Sequence, residues 1–133
     1  MSKLLNLSLS ANNLYGPILE QIGDCTQLLD LNLSINALSG CIPSLIGNMH
    51  SLETLDLSQS MLTCEIPTEL GELKSIEKIN LSHNRISGSI PSSFDHHMSL
   101  NSVDVSSNLL EGPLPKILAF QTAPFSALKD NKV

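Results

Sequence analysis

A chain of 133 residues is one domain's worth of polypeptide, and an apolar fraction of 41% suits a folded protein. Aromatics are only 3% and Trp is absent, so leucine and isoleucine must build the core, as in a structure with a narrow, repetitive interior rather than a compact globule. A net charge of −6 argues against sequence-independent nucleic-acid binding, which needs clustered Lys and Arg. No apolar run approaches the ~20 residues of a membrane helix, and no signal-peptide pattern follows Met1, so the chain itself is expected to make no membrane contact.

In chain order, residues 4–27 set a pattern that returns four times. Its members are Leu4, Leu7, Leu9, Asn12, Leu14, Gly16, Ile18, Ile22 and Gly23. The clearest copy is 28–51, LLDLNLSINALSGCIPSLIGNMHS. Counted from Leu28, leucines hold positions 1, 4, 6 and 11, Asn36 position 9, Gly40 position 13, Ile42 and Pro43 positions 15 and 16, and Ile46 and Gly47 positions 19 and 20. The alternation Leu31, Asn32, Leu33 has the period of a half-buried strand, with the leucines inward and Asp30, Asn32 and Ser34 outward. Gly40 and Pro43 then mark a return path, since neither suits a helix interior or a central strand. The third copy, 52–75, departs twice: Ser60 stands at the Asn position and Cys64 at the first Gly position. The fourth copy is 76–99. The fifth, 100–123, holds Val103, Val105, Asn108, Leu110, Gly112, Leu114, Pro115 and Leu118. The pattern lapses over 124–133.

Asn12, Asn36, Asn84 and Asn108 share position 9, flanked by inward-facing apolar residues. A buried amide must find partners, and losing one costs roughly 1–3 kcal/mol. Stacked asparagines satisfy backbone groups that a turn leaves unpaired, so these four are expected to form a structural ladder.

Self-similarity with L-x-x-L-x-L-x-x-N-x-L is the leucine-rich-repeat signature. Its fold expectation is an α/β-type solenoid of about five right-handed coils. A short parallel sheet lines the concave face, with strands near 7–9, 31–33, 55–57, 79–81 and 103–105, and irregular or 3-10 segments form the convex face. The L-S-G-x-I-P type segment, at Leu38 to Pro43 and Ile86 to Pro91, resembles the plant-specific class of these repeats, found in receptor-like kinases, receptor-like proteins and polygalacturonase inhibitors. Leu110 to Lys132 resembles the last repeat and C-terminal cap of receptor-like kinases of the male-discoverer-interacting type. In those proteins Gly-Leu-Cys-Gly would follow, then a linker, a membrane helix and a kinase. The resemblance implies that 124–133 is a truncated C-terminal cap. It also implies that the chain is a fragment of a receptor ectodomain on the outer side of the plasma membrane. Its partner would be a protein or peptide ligand or a co-receptor ectodomain. A stand-alone extracellular inhibitor or an intracellular scaffold is the alternative.

The candidate ligand face is the outward set of strand residues and the turn that follows: Asp30 and Asn32; Thr54, Asp56 and Gln59; Lys78, Asn80 and His83; and Asp104. The serines of position 7, Ser10, Ser34, Ser58, Ser82 and Ser106, are read as part of the same outward surface. Asn6, Asn32 and Asn80 each begin an N-L-S sequon and are candidate glycosylation sites, although N-L-S also falls out of the strand pattern itself.

Catalysis, cofactors and metals find no support in this sequence. The glycines follow the repeat and form no phosphate-cradling loop. Asp56 and Asp104 lie in one outward column, but an exposed sheet offers no desolvated pocket for paired-carboxylate chemistry. His96 and His97 lack cysteines at ligand spacing and read as solvated turn residues. Cys25, at position 22, reads as core. Cys41 and Cys64 fall at positions 14 and 13 of adjacent repeats. Adjoining positions usually point differently, which weighs against a bridge, and three cysteines make no complete framework. Whether the two pair stays open.

Overall fold

The computed structural model describes residues 3–132. Ten short strands alternate between two ladders. They are β1 (Asn6–Ser8), β2 (Tyr15–Pro17), β3 (Asp30–Asn32), β4 (Ala37–Cys41), β5 (Thr54–Asp56), β6 (Met61–Thr63), β7 (Lys78–Asn80), β8 (Ser87–Gly88), β9 (Ser102–Asp104) and β10 (Leu109–Leu110). In the main sheet β1, β3, β5, β7 and β9 stack in chain order, every pair parallel. The register is one full repeat, so Leu7 lies opposite Leu31, Leu31 opposite Leu55, Leu55 opposite Ile79 and Ile79 opposite Val103. Each strand begins and ends one residue earlier than the pattern suggests, because hydrogen-bond pairing starts at position 3.

The inward leucines make one continuous core. Leu31, Leu55, Leu57, Leu62, Leu70 and Ile76 are at most 1% exposed, and full burial of such a side chain stabilises by about 1.5–3 kcal/mol. In the first coil, whose strand β1 forms the edge of the main sheet among the described residues, Leu4 and Leu7 are half-buried and Leu9 is exposed.

The expected return path is instead a second parallel ladder. β2, β4 and β6 form one sheet and β8 pairs with β10, with a single bridge between Glu65 and Ser87 linking the two. Partners here stand two residues short of a full repeat: Tyr15 faces Ala37, and Cys41 faces Thr63. Gly40 therefore sits inside a strand. Its φ is +75°, and Gly16, Gly88 and Gly112 are similar. The left-handed residue bends the strand without ending its pairing, and glycine adopts it without a Cβ penalty.

The outer side of each coil is a 3-10 turn: Glu20–Asp24, Ser44–Asn48, Thr68–Glu72 and Ser92–Phe94. Pro43, Pro67 and Pro91 precede the last three with φ between −61° and −68°. Their rings pre-set the entry angle, and each carbonyl accepts the N–H three residues on, at 3.0–3.1 Å. Leu19 does the same in the first coil without a proline. Position 20 is a contact requirement. A Cβ on Gly23 would collide with the Leu45 carbonyl oxygen, and one on Gly47 would lie 2.8 Å from Glu69 Cβ.

Coils four and five depart from this plan. In coil four Asp95 takes the glycine position, and coil five carries a short helix α1 (Leu118–Gln121) where a 3-10 turn would stand. Leu118, expected to face inward at position 19, is 73% exposed, while Ala119 and Phe120 are buried. The helical turn rotates the core-facing side by one to two residues, and Phe120 packs edge-on against Phe94 at 6.3 Å. His97 is also corrected. It occupies position 22, as Cys25, Met49 and Leu73 do, and is half-buried. Leu100 N–H donates to its Nδ1 (3.1 Å), so its Nε2–H donates to the Leu73 carbonyl (2.6 Å). It joins two coils rather than lying in solvent.

The asparagines of position 9 tie each coil to the one before. Asn36 Nδ2 donates to Leu9, Leu33 and Ser34 carbonyls at 3.0 Å, and its Oδ1 accepts from Asn12 and Leu14 N–H. Asn84 donates to Leu57, Leu81 and Ser82 and accepts from Leu62 N–H. Asn108 repeats the arrangement with Leu81, Val105, Ser106 and Ile86. Asn12, in the first coil, bonds through its side chain only to the Ser10 carbonyl among the described residues. A further rung is Asn131, which donates to the Val105 and Leu128 carbonyls and accepts from Leu110 N–H. The tail thus begins another turn of the same ladder. Ser60 is the gap. Its Oγ is buried and has no partner among the described residues.

Ser60→Asn is therefore expected to stabilise the fold by about 1 kcal/mol, the usual net value of a hydrogen bond. Asn84→Ser should cost at least as much, since it strips two coils of partners built for an amide. Urea unfolding of the three chains side by side is the measurement. A lower midpoint for Ser60→Asn would overturn the ladder's energetic role.

Candidate ligand-binding face

The main sheet aligns the candidate residues into columns. Asp30, Thr54, Lys78 and Ser102 are neighbours in register at position 3, and Asn32, Asp56, Asn80 and Asp104 at position 5. Strands in such a sheet lie roughly 4.8 Å apart. Asp30 and Lys78 are exposed and Thr54 is half-buried, so the position 3 column is open to a partner. Three aspartates against one lysine leave this face acidic.

The position 5 column is less free than the sequence suggests. Asn32, Asp56, Asn80 and Asp104 are all half-buried. Each accepts through Oδ1 from the backbone N–H and the hydroxyl of the serine two residues on. The hydroxyl bonds are 2.6–2.7 Å long and the N–H bonds 3.0–3.1 Å. The serines themselves, Ser34, Ser58, Ser82 and Ser106, are 4–5% exposed. Position 7 is thus not part of the outward surface. The chain turns inward after position 6, and the hydroxyl closes a side-chain cap on the strand's last carbonyl-bearing residue.

This cap explains the sequons. Asp56 with Ser58 and Asp104 with Ser106 make the same pair of bonds as Asn32 with Ser34 and Asn80 with Ser82. The structural demand is for an oxygen acceptor two residues before a serine, and asparagine or aspartate meets it equally. Asn6 and Ser8, at the sheet edge, are exposed.

Position 8 forms the rim of the face. Ala11, Ile35, Gln59, His83 and Ser107 all adopt φ of 56–57°. The cause lies outside the residue. The N–H of each of the first four donates to the position 7 carbonyl of the next coil, and Ser107 N–H to the Lys129 carbonyl, at 2.9–3.0 Å. Gln59 and His83 project as exposed side chains from this rim. Ile35 is half exposed there, and Tyr15, on the second ladder, is 86% exposed. Sequence periodicity passed over both, because an apolar residue outside the inward positions carries no periodic signal.

Asn32→Asp and Asn80→Asp should remove the sequons and leave stability within about 0.5 kcal/mol, as surface changes do. Ser58→Ala should cost more than Ser34→Ala, about 1.5–3 kcal/mol against about 1, because its lost partner is a carboxylate. Equal losses for the two serines in urea titrations would contradict the cap.

A family model described as Leucine Rich Repeat matches residues 51–73 and 75–97. No curated protein matches the sequence. Among solved structures, the chain is similar to the BIR2 ectodomain from Arabidopsis thaliana, with 35% identity and a TM-score of 0.85 over 94% of this chain and 66% of that one. It is similar to a chain of the BIR3–SERK2 complex from Arabidopsis thaliana, with 36% identity and a TM-score of 0.86 over 95% and 66%. It also resembles the plant peptide hormone receptor RGFR1 in complex with RGF2, at 32% identity and TM-score 0.85, covering 96% of this chain and 21% of that one. The chain thus spans just under two thirds of the first two ectodomains and a fifth of the third. With five parallel strands in full repeat register, an asparagine rung at most joints and these likenesses, the chain is a leucine-rich-repeat solenoid, similar to the repeats of plant receptor ectodomains.

Proposed function

We propose that this chain is a protein- or peptide-recognition module, part of the extracellular domain of a plant receptor-like kinase, acting in ligand or co-receptor recognition. The observation that carries the reading is the strand face. It presents Asp30, Thr54 and Lys78 in one register column, with Gln59 and His83 on its rim, on a backbone fixed by hydrogen bonds between every pair of coils. Solenoids use extended surfaces of this sort to hold protein ligands. The likenesses agree with it: one relative is a chain of the BIR3–SERK2 complex and another is the plant peptide hormone receptor RGFR1 in complex with RGF2. A bridge between Cys41 and Cys64 fits an oxidising, extracellular setting. No helix among the described residues is long and apolar enough to cross a membrane. In this reading 124–133 opens the C-terminal cap, any kinase lies in another part of the protein, and this chain carries binding rather than catalysis. Glycans, if attached at Asn32 or Asn80, would stand on the same face and narrow it, which makes Asn6 at the edge the sequon most compatible with a bound ligand.

The test is binding of the purified chain to the SERK2 ectodomain by surface plasmon resonance. Asp30→Lys combined with Lys78→Glu should weaken binding by at least about tenfold, a loss of ~1.4 kcal/mol, because both side chains are exposed and outside the serine caps. Glu20→Lys, on the 3-10 side, should leave it unchanged. Absence of SERK2 binding rejects the co-receptor arm. Binding that survives the strand-face pair but not Glu20→Lys rejects the strand face as the site.

A further inference from the structure

Coil three breaks the repeat pattern at two positions four residues apart, and both breaks fall on the same joint. At the other joints an asparagine side chain reaches back one coil. Asn36 bonds the Leu9 carbonyl and Leu14 N–H, Asn84 the Leu57 carbonyl and Leu62 N–H, Asn108 the Leu81 carbonyl and Ile86 N–H, and Asn131 the Val105 carbonyl and Leu110 N–H. The equivalent groups in coil two belong to Leu33 and Leu38, and the residue that should reach them is Ser60. Its Oγ is buried and has no hydrogen-bond partner among the described residues. The joint between coils two and three therefore lacks the side-chain lock that the others carry.

The same joint holds the disulfide. Cys64 stands where the other coils have Gly16, Gly40, Gly88 and Gly112, and it keeps their left-handed backbone, with φ of +66°. It is bonded to Cys41 of coil two, with the Cα atoms 5.2 Å apart. The second ladder explains how positions 14 and 13 meet. Because its register is two residues short of a repeat, Cys41 lies opposite Thr63 and next to Cys64. Both cysteines are exposed at the surface, whereas the third, Cys25, is a free thiol buried in the core.

We propose that the Cys41–Cys64 disulfide replaces the missing asparagine rung, so that the joint between coils two and three is locked covalently and only under oxidising conditions. Reduction by a small-molecule thiol takes two RSH to one RSSR. It delivers two electrons to the S–S bond and a proton to each sulfur, leaving the Cys41 and Cys64 thiols. The joint then has neither lock. The solenoid becomes two blocks, coils one and two against coils three to five, hinged where Ser60 sits. Each coil contacts only its neighbours, so the other joints keep their own asparagines and do not loosen.

Amide hydrogen exchange of the intact chain, with and without dithiothreitol, tests this. Leu33, Ile35 and Asn36 N–H donate across the joint between coils two and three, to Asp56, Ser58 and Gln59 carbonyls. Leu57 and Gln59 N–H donate across the next joint, to Asn80 and Ser82. Reduction should speed exchange of the first set by about tenfold or more and of the second by less than about twofold. In Ser60→Asn, which restores the rung, the response of the first set should fall below about threefold. Equal acceleration at both joints in the unaltered chain overturns the proposal, and so does an undiminished response in Ser60→Asn. A Cys41→Ser, Cys64→Gly double variant supplies an independent arm: it should exchange fast at the first set with or without dithiothreitol, and slow exchange there also overturns it.

Discussion

The hydrogen bond between a backbone group of one coil and an acceptor or donor in the next is the constraint on which this structure rests. A strand of three residues buries too little on its own, and a buried N–H or C=O without a partner costs free energy comparable to a lost hydrogen bond. Every coil solves this by borrowing from its neighbour. Strand N–H groups donate across the joint, the position 9 amide spans it, and even the tail is drawn back so that Asn131 can close the last one. The inward leucines fill the space that these bonds enclose. Remove the register, and both the core and the polar columns lose their alignment together.

Legibility followed from how much of a residue's job depends on its own coil. Leu31, Leu55 and Ile79 announce themselves by period, because facing inward is decided locally. Ser34 and its column do not. A serine after an inward leucine reads as outward by alternation, and only the turn that follows, with its hydroxyl seated on Asn32, sends it inside. Cys41 and Cys64 were opaque for a related reason: the main sheet and the second ladder run in different registers, and the sequence displays only the repeat. Leu118 was misplaced because α1 replaces a 3-10 turn although Pro115 keeps the proline of position 16, so the pattern promises the usual turn. Asn131 escaped notice because the fifth interval is one residue short.

Of the candidate face, the columns were visible and their availability was not. Position 3 stands open, while position 5 is half committed to holding the serines. A partner reading this surface meets side chains whose positions are set by five coils acting together, so little freedom is lost when it docks. Asp56 and Asp104 therefore serve the frame and the acidic character of the face at once, and changes there act on both.

The left-handed rim carries a last implication. At position 8 the backbone angle is imposed from the adjacent coil, and it is met by Ala11, Ile35, Gln59, His83 and Ser107, five residues with nothing chemical in common. A site where conformation is dictated by the surroundings and the side chain points to water behaves as an alphabet slot: the letter can change while the grammar holds. Glycine or asparagine would fit such angles with less strain, yet neither occurs there. The rim is thus a row of interchangeable characters printed at fixed pitch, and a repertoire of surfaces can be written along it without redesigning the scaffold underneath.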